Sequence, residues 1–179
     1  MSYFLGIEVK QQQDGIFISQ KKNMKEILEK FKMSNCKPVN TPIAIGMKLS
    51  REGNGDFVDS TFFKSLVGNL RYLTITRPDI VYGVGLVNLY METPKESHWL
   101  AAKRILRYIK GTLNLGVFHT YGETVELVGY LDSDWGGDQD ERKSTTGWIN
   151  CIFMDLKEER SFGSIFMRSR VCGSLIYCM

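Results

Sequence analysis

The chain is poor in the residues that build metal and thiol centres. It has two histidines, His98 and His119, far apart, and four cysteines, Cys36, Cys151, Cys172 and Cys178, none in a C-x-x-C pair. Zinc sites need tighter ligand clustering than this, so free thiols in a reducing compartment are expected. No run approaches about 18 uncharged apolar residues, which excludes a membrane-spanning helix. Met1-Ser2-Tyr3-Phe4-Leu5-Gly6 carries no basic lead and Glu8 interrupts it early, so an intracellular, non-secreted protein is expected. There is no G-x-S-x-G, no glycine-rich phosphate loop followed by Lys-Ser/Thr and no H-E-x-x-H, which removes the common hydrolase, nucleotide-binding and metalloprotease signatures.

What is present is ordinary globular material with uneven charge. Hydrophobic residues are 43% and charged residues 24% of 179 residues, too apolar for a disordered chain. The net charge of +3 divides into +7 over residues 1–110 and −4 over residues 111–179, and residues 123–141 hold seven acids and no base. A basic body followed by an acidic segment suits a polyanion-binding region joined to a metal-binding one; uneven surface charge is the plainer reading.

Periodicity divides the chain in a similar place. β-rich runs at residues 3–9 and 16–19 flank Gln11-Gln12-Gln13-Asp14-Gly15, a hairpin closed by an Asp-Gly turn. Ser19 is a candidate cap for a helix in which Met24, Ile27, Leu28 and Phe31 share one face. Residues 38–59, with Pro38, Pro42, Gly46, Gly53 and Gly55, read as a long loop or linker. Asp59 or Ser60 caps a second helix that runs to Leu73. Pro78 opens a third, ending near Met91, and Thr93-Pro94 precedes a fourth over residues 95–110, stopped by Gly111. Trp99, Ile105, Leu106 and Ile109 are expected in the core, Gly83 and Gly85 at a close helix packing, and His98 in a packing or capping role. After Gly111 the period becomes strand-like. Residues 115–119 and 125–132 read as antiparallel neighbours, and residues 145–153 as a third strand. The expected fold is α+β, with a hairpin and small helical body followed by the first strands of an α/β unit.

Two groups of residues carry possible chemistry. Lys103, Arg107 and Lys110 fall at i, i+4 and i+7 with Arg104 beside them, so one helix face presents three or four cations. Such arrays hold phosphate backbones, although a merely solvated face has the same pattern. Asp132 and Asp134 alternate along a strand and so share a face, where carboxylates can hold magnesium. A two-metal nuclease needs further carboxylates from separate elements, so one strand supplies only part of such a site.

Several segments taken together resemble one family. They are Tyr3-Phe4-Leu5-Gly6-Ile7-Glu8-Val9, Ile18-Ser19-Gln20-Lys21-Lys22, Thr41-Pro42 and the run from Leu66 through Asn69-Leu70-Arg71-Tyr72-Leu73 to Arg77-Pro78-Asp79-Ile80. Ala102-Lys103-Arg104-Ile105-Leu106-Arg107-Tyr108-Ile109-Lys110-Gly111-Thr112, Gly129-Tyr130-Leu131-Asp132-Ser133-Asp134-Trp135-Gly136 and Arg142-Lys143-Ser144-Thr145-Thr146-Gly147 complete the series. In this order they resemble the Pol polyprotein of copia-type (Ty1/copia) LTR retrotransposons of plants, over about residues 1–150.

The resemblance implies that residues 1–112 are the C-terminal part of a reverse transcriptase, comprising the end of the palm and the thumb or connection. It implies that residues 113–153 are the N-terminal strands of an incomplete RNase H-like domain. It places Lys103, Arg104, Arg107 and Lys110 near RNA/DNA template-primer, and makes Asp132 the first metal-binding aspartate of RNase H, with Asp134 beside the same Mg2+ site. The parent activity is RNA-directed DNA synthesis and degradation of hybrid RNA, with Mg2+ as cofactor. The polymerase Y-V-D-D-like motif of the family does not occur in these residues, and Met1 matches an internal methionine of the polyprotein. After Phe153 the family's S-W-x-S-K-K-Q-like and T-E-A-E-Y-like motifs are missing, so residues 154–179 are expected to be a frameshifted or mispredicted tail. The expected product is a catalytically inactive fragment that binds no Mg2+ stably and keeps residual nucleic-acid binding. The alternative is a non-enzymatic interaction or regulatory module recruited by the host.

Overall fold

The computed structural model describes residues 3–44, 46–121, 128–133, 146–151 and 155–158. Its elements are α+β, as expected. The chain opens with strands β1 (Tyr3–Phe4), β2 (Ile7–Gln11) and β3 (Gly15–Ser19), then helices α1 (Lys21–Lys30), α2 (Ser60–Leu73), α3 (Val81–Asn88) and α4 (Glu96–Gly111). Strands β4 (Leu115–Thr120), β5 (Val128–Ser133), β6 (Thr146–Cys151) and β7 (Asp155–Glu158) follow.

The expected single run over residues 3–9 is broken by a two-residue turn at Leu5-Gly6, where both φ values are positive (48° and 81°). That conformation matches the twist of a tight hairpin, and β1 folds back on β2 with Phe4 opposite Ile7. The next hairpin, β2–β3, stands where the sequence placed it. Gln12 N–H donates to the Gly15 carbonyl at 2.8 Å and Gln11 pairs with Ile16. Gly15 serves a different purpose from the one its Asp-Gly context suggests. A Cβ there would sit 2.1 Å from the His119 carbonyl oxygen, so the glycine admits β4.

The expected pairing of residues 115–119 with 125–132 does not occur. β4 pairs antiparallel with β3 (Phe17 opposite Phe118) and with β7, giving a five-stranded sheet β1-β2-β3-β4-β7, while β5 pairs with β6 separately. Alternation marks a strand but not its partner, and here the close approach at Gly15 and Gly116 is what admits the neighbour. One sheet therefore runs across the 112/113 boundary that the resemblance implies. Its last strand comes from residues 155–158, in the tail where the resemblance fails.

The four helices enclose the main core. Met24, Ile27 and Leu28 of α1 meet Phe63, Leu66, Val67, Leu70 and Leu73 of α2, and Ala101, Ala102, Ile105, Leu106 and Ile109 of α4. These are the i, i+3/i+4 positions of amphipathic helices, and each of the larger apolar side chains fully removed from water contributes about 1.5–3 kcal/mol. Trp99 differs from its expectation: it is only partly buried, packed against the rim of this core. α2 is capped as expected, its Asp59 carboxylate accepting the Thr61 N–H at 2.9 Å. α1 is not capped by Ser19. Its N-cap is the buried Gln20, whose side chain instead accepts a bond from Thr76 Oγ1 at 2.8 Å. The third helix begins with a 3-10 turn over Pro78–Ile80 and ends at Asn88, short of Met91.

The largest departure is at residues 38–59. A linker was expected; the chain instead lies as an ordered strap antiparallel to α4. Arg107 Nε donates to the Lys37 carbonyl (2.8 Å), Arg104 to Thr41 Oγ1 (2.9 Å), and Tyr90 Oη to the Leu49 carbonyl (3.0 Å). Further along, Ser97 N–H bonds the Asn54 carbonyl, Glu96 N–H the Asp56 carbonyl, and Val58 N–H the Pro94 carbonyl. Tyr90 apart, the partner's number falls from 107 to 94 as the strap's rises from 37 to 58. Ile43 packs on Gly83, so that glycine marks a close approach, to the strap as well as to α4, whereas Gly85 borders open space and does not.

Candidate nucleic-acid interface

α4 is amphipathic, and its packing decides what its basic side can do. With Ala101, Ala102, Ile105, Leu106 and Ile109 turned into the core, Lys103, Arg104, Arg107 and Lys110 must line the opposite side. All four are half-buried rather than extended into water. They are not equivalent. Arg104 and Arg107 are spent on neutral oxygens of the strap, and Arg104 Nε is buried with no partner. Lys103 places its ammonium 5.0 Å from the centre of the Trp99 ring. None of the four has a carboxylate partner among the described residues. Among the described residues, no acid therefore pairs with the positive charge of this helix face.

His98 is fully buried and takes the capping role expected of it. Its Nδ1 accepts the Lys95 backbone N–H at 3.0 Å, its Nε2 lies 2.9 Å from the Ser50 carbonyl, and its ring stacks on Tyr90 at 4.1 Å and 6°. Accepting at Nδ1 leaves the proton on Nε2, which donates to the carbonyl. His119 is a β4 residue, paired with Ile16.

Sequence reasoning passed over Arg77 as part of a helix break. Its side chain is fully buried and makes a two-pronged pair with Asp79, at 2.9 Å (Nε to Oδ1) and 2.7 Å (NH2 to Oδ2). It also donates to the Thr112 carbonyl (3.0 Å) and Thr112 Oγ1 (2.6 Å), and lies 5.6 Å from the Tyr108 ring centre. Burial works against the guanidinium charge, but Asp79 and Tyr108 outweigh it and hold the pKa above the ordinary arginine value. Burial, and then the neighbouring carboxylate, push the Tyr108 hydroxyl well above the usual tyrosine range. Arg77 thus ties the turn after α2 to the end of α4. The available signal was Arg-Pro-Asp itself: proline opens the turn and so fixes an acid two residues from the arginine.

The acidic candidates stand apart. Asp132 contributes its backbone to β5, opposite Gly147 of β6, and Asp134 lies outside the described residues. Among the described residues no three His, Cys, Asp or Glu side chains converge as metal ligands.

Fold and site define an α+β chain with a helical core and one cationic helix face. Its relatives make this specific. It is 44% identical over 149 residues to the retrovirus-related Pol polyprotein from transposon RE1 of Arabidopsis thaliana, covering 83% of this chain and 10% of the relative. The corresponding protein from transposon RE2 of the same plant is 42% identical over 149 residues, and that from transposon TNT 1-94 of Nicotiana tabacum is 40% identical over 142, again covering 10% of each relative. The chain is therefore similar to retrovirus-related Pol polyproteins of plant transposons, and spans about a tenth of the length of these relatives. No family model matches it, and neither does any solved structure. No helix among the described residues is long and apolar enough to cross a membrane.

Proposed function

We propose that these residues are a copia-type Pol segment spanning the end of reverse transcriptase and the start of RNase H, and that alone they bind nucleic acid without catalysing its synthesis or cleavage. The observation that carries the binding is the cationic side of α4, which no acid among the described residues pairs with. Lys103 and Lys110 are its contacting residues, while Arg104 and Arg107 position the strap beside it. Phosphates docking on such a face release counterions, so affinity is governed by salt rather than by base sequence. The lack of activity follows from composition. These residues contain no Y-V-D-D-like motif, and Asp132 with Asp134 falls short of the converging carboxylates that hold two ions.

The test is anisotropy of a labelled RNA–DNA hybrid with the full chain. Affinity is expected to fall about tenfold or more between about 50 and about 200 mM salt. An unchanged affinity sinks the binding reading. Magnesium-dependent hybrid cleavage that Asp132→Asn abolishes would overturn the inactivity.

A further inference from the structure

A row of rings crosses the helical body beside the cationic side of α4. The Phe31 and Phe62 ring centres are 5.3 Å apart at 57°, and Phe62 and Trp99 are 5.3 Å apart at 50°. The row joins the end of α1, the first turn of α2 and the first turn of α4. A lysine stands at each end: Lys30 Nζ is 5.5 Å from the Phe31 centre and Lys103 Nζ is 5.0 Å from the Trp99 centre. Phe31 is buried and Trp99 partly so, whereas Phe62 is 42% exposed. The central ring is therefore open to solvent while its neighbours on both sides hold its orientation. Lys30 is braced by a 3.1 Å bond to Ser65 Oγ, and the nearby Asp59 carboxylate is taken up in capping α2.

We infer that Phe62, supported by Phe31 and Trp99 and flanked by Lys30 and Lys103, is a stacking platform for an unpaired base of single-stranded nucleic acid. An exposed, rigidly held ring between two cations matches the two faces of a single strand, a flat apolar base and a charged backbone. A duplex cannot use it, because its bases are already stacked on one another. Charge complementarity selects this occupant over an apolar peptide, which would gain nothing from the paired lysines. The inference rests on the nucleic-acid reading above and adds a preference for unpaired strands and four residues, Lys30, Phe31, Phe62 and Trp99, outside the basic cluster.

The experiment compares labelled oligo(dT) with a duplex of equal length on the full chain. The parent is expected to prefer oligo(dT). Phe62→Ala weakens oligo(dT) binding by about fivefold or more and leaves duplex binding and the salt slope unchanged. Phe62→Leu, which keeps the apolar volume and guards against misfolding, shows the same loss, and Phe62→Tyr restores binding. Lys30→Gln with Lys103→Gln lowers the oligo(dT) salt slope by about 1.4. If strand and duplex bind alike and both Phe62 variants match the parent, the platform is wrong while the α4 reading stands. If nothing binds at low salt, both fail. Self-association that Phe62→Ala abolishes would make the patch a contact between copies and would also overturn the assignment.

Discussion

Arg77 and the arginines of α4 put the same side chain to opposite uses. Arg77 is wholly buried, and its charge is met by a carboxylate in two-pronged geometry, by two oxygens of Thr112 and by the Tyr108 ring. Arg104 and Arg107 lie near the surface, where neutral oxygens of the strap hold them and no described acid cancels their charge. The difference teaches where a cation belongs to the fold and where it is left for a partner. Desolvation forces a buried guanidinium to find an anion, while a half-exposed one keeps its field for whatever approaches.

The comparison breaks most visibly at the buried end. Arg77→Met strands the Asp79 carboxylate and is expected to cost about 3–5 kcal/mol in urea unfolding, with part recovered when Asp79→Asn is added. A cost below about 1 kcal/mol would mean that the network does not hold the turn to α4. The same pocket should show at alkaline pH. The folded Tyr108 hydroxyl keeps its proton above the unfolded value of 10.0, so its contribution is complete below pH 10 and is lost as pH rises beyond it. The urea midpoint should fall from pH 9 to pH 11 more for the parent than for Tyr108→Phe; equal falls would refute the assignment.

At the surface end the effects shrink and change kind. Arg104→Ala with Arg107→Ala removes two pins of the strap. About 1 kcal/mol of stability should be lost per bond, with faster protease cutting in residues 37–44. Cutting at the parent rate would show that the strap is held by Ile43, Leu49 and the α4 N-terminal bonds alone. Lys103→Gln and Lys110→Gln should each change stability by less than about 0.5 kcal/mol, yet lower the salt slope of hybrid binding by about 1. If the arginine pair lowers that slope and the lysines do not, the division of labour on α4 is reversed.

How far the residues could be read depends on the range of the signal. The cap at Asp59, most of the α2 and α4 core positions, the capping role of His98 and the β2–β3 hairpin all rest on neighbours within a few residues, where helical spacing and turn chemistry are legible. The cationic side of α4 was legible for the same reason, and the family resemblance along residues 1–150 agrees with relatives that are transposon Pol polyproteins. The largest failures concern residues distant in sequence. Ile43, Met47 and Leu49 hinted that residues 38–59 were more than a linker, but glycine and proline hid a segment whose bonds go to Tyr90 and α4. Gly15 looked like a turn residue because its true neighbour, the His119 carbonyl, is about a hundred positions away.

The amino-acid sequence by itself determined the helices, their buried faces, the charge asymmetry and the likeness to transposon Pol polyproteins, because each is carried by residue order and local periodicity. Only the tertiary structure decided which strand lies beside which, that the strap runs back along α4, and that Arg77 is enclosed while Lys103 faces outward. Those outcomes turn on close approach and desolvation between segments, which have no sequence period of their own.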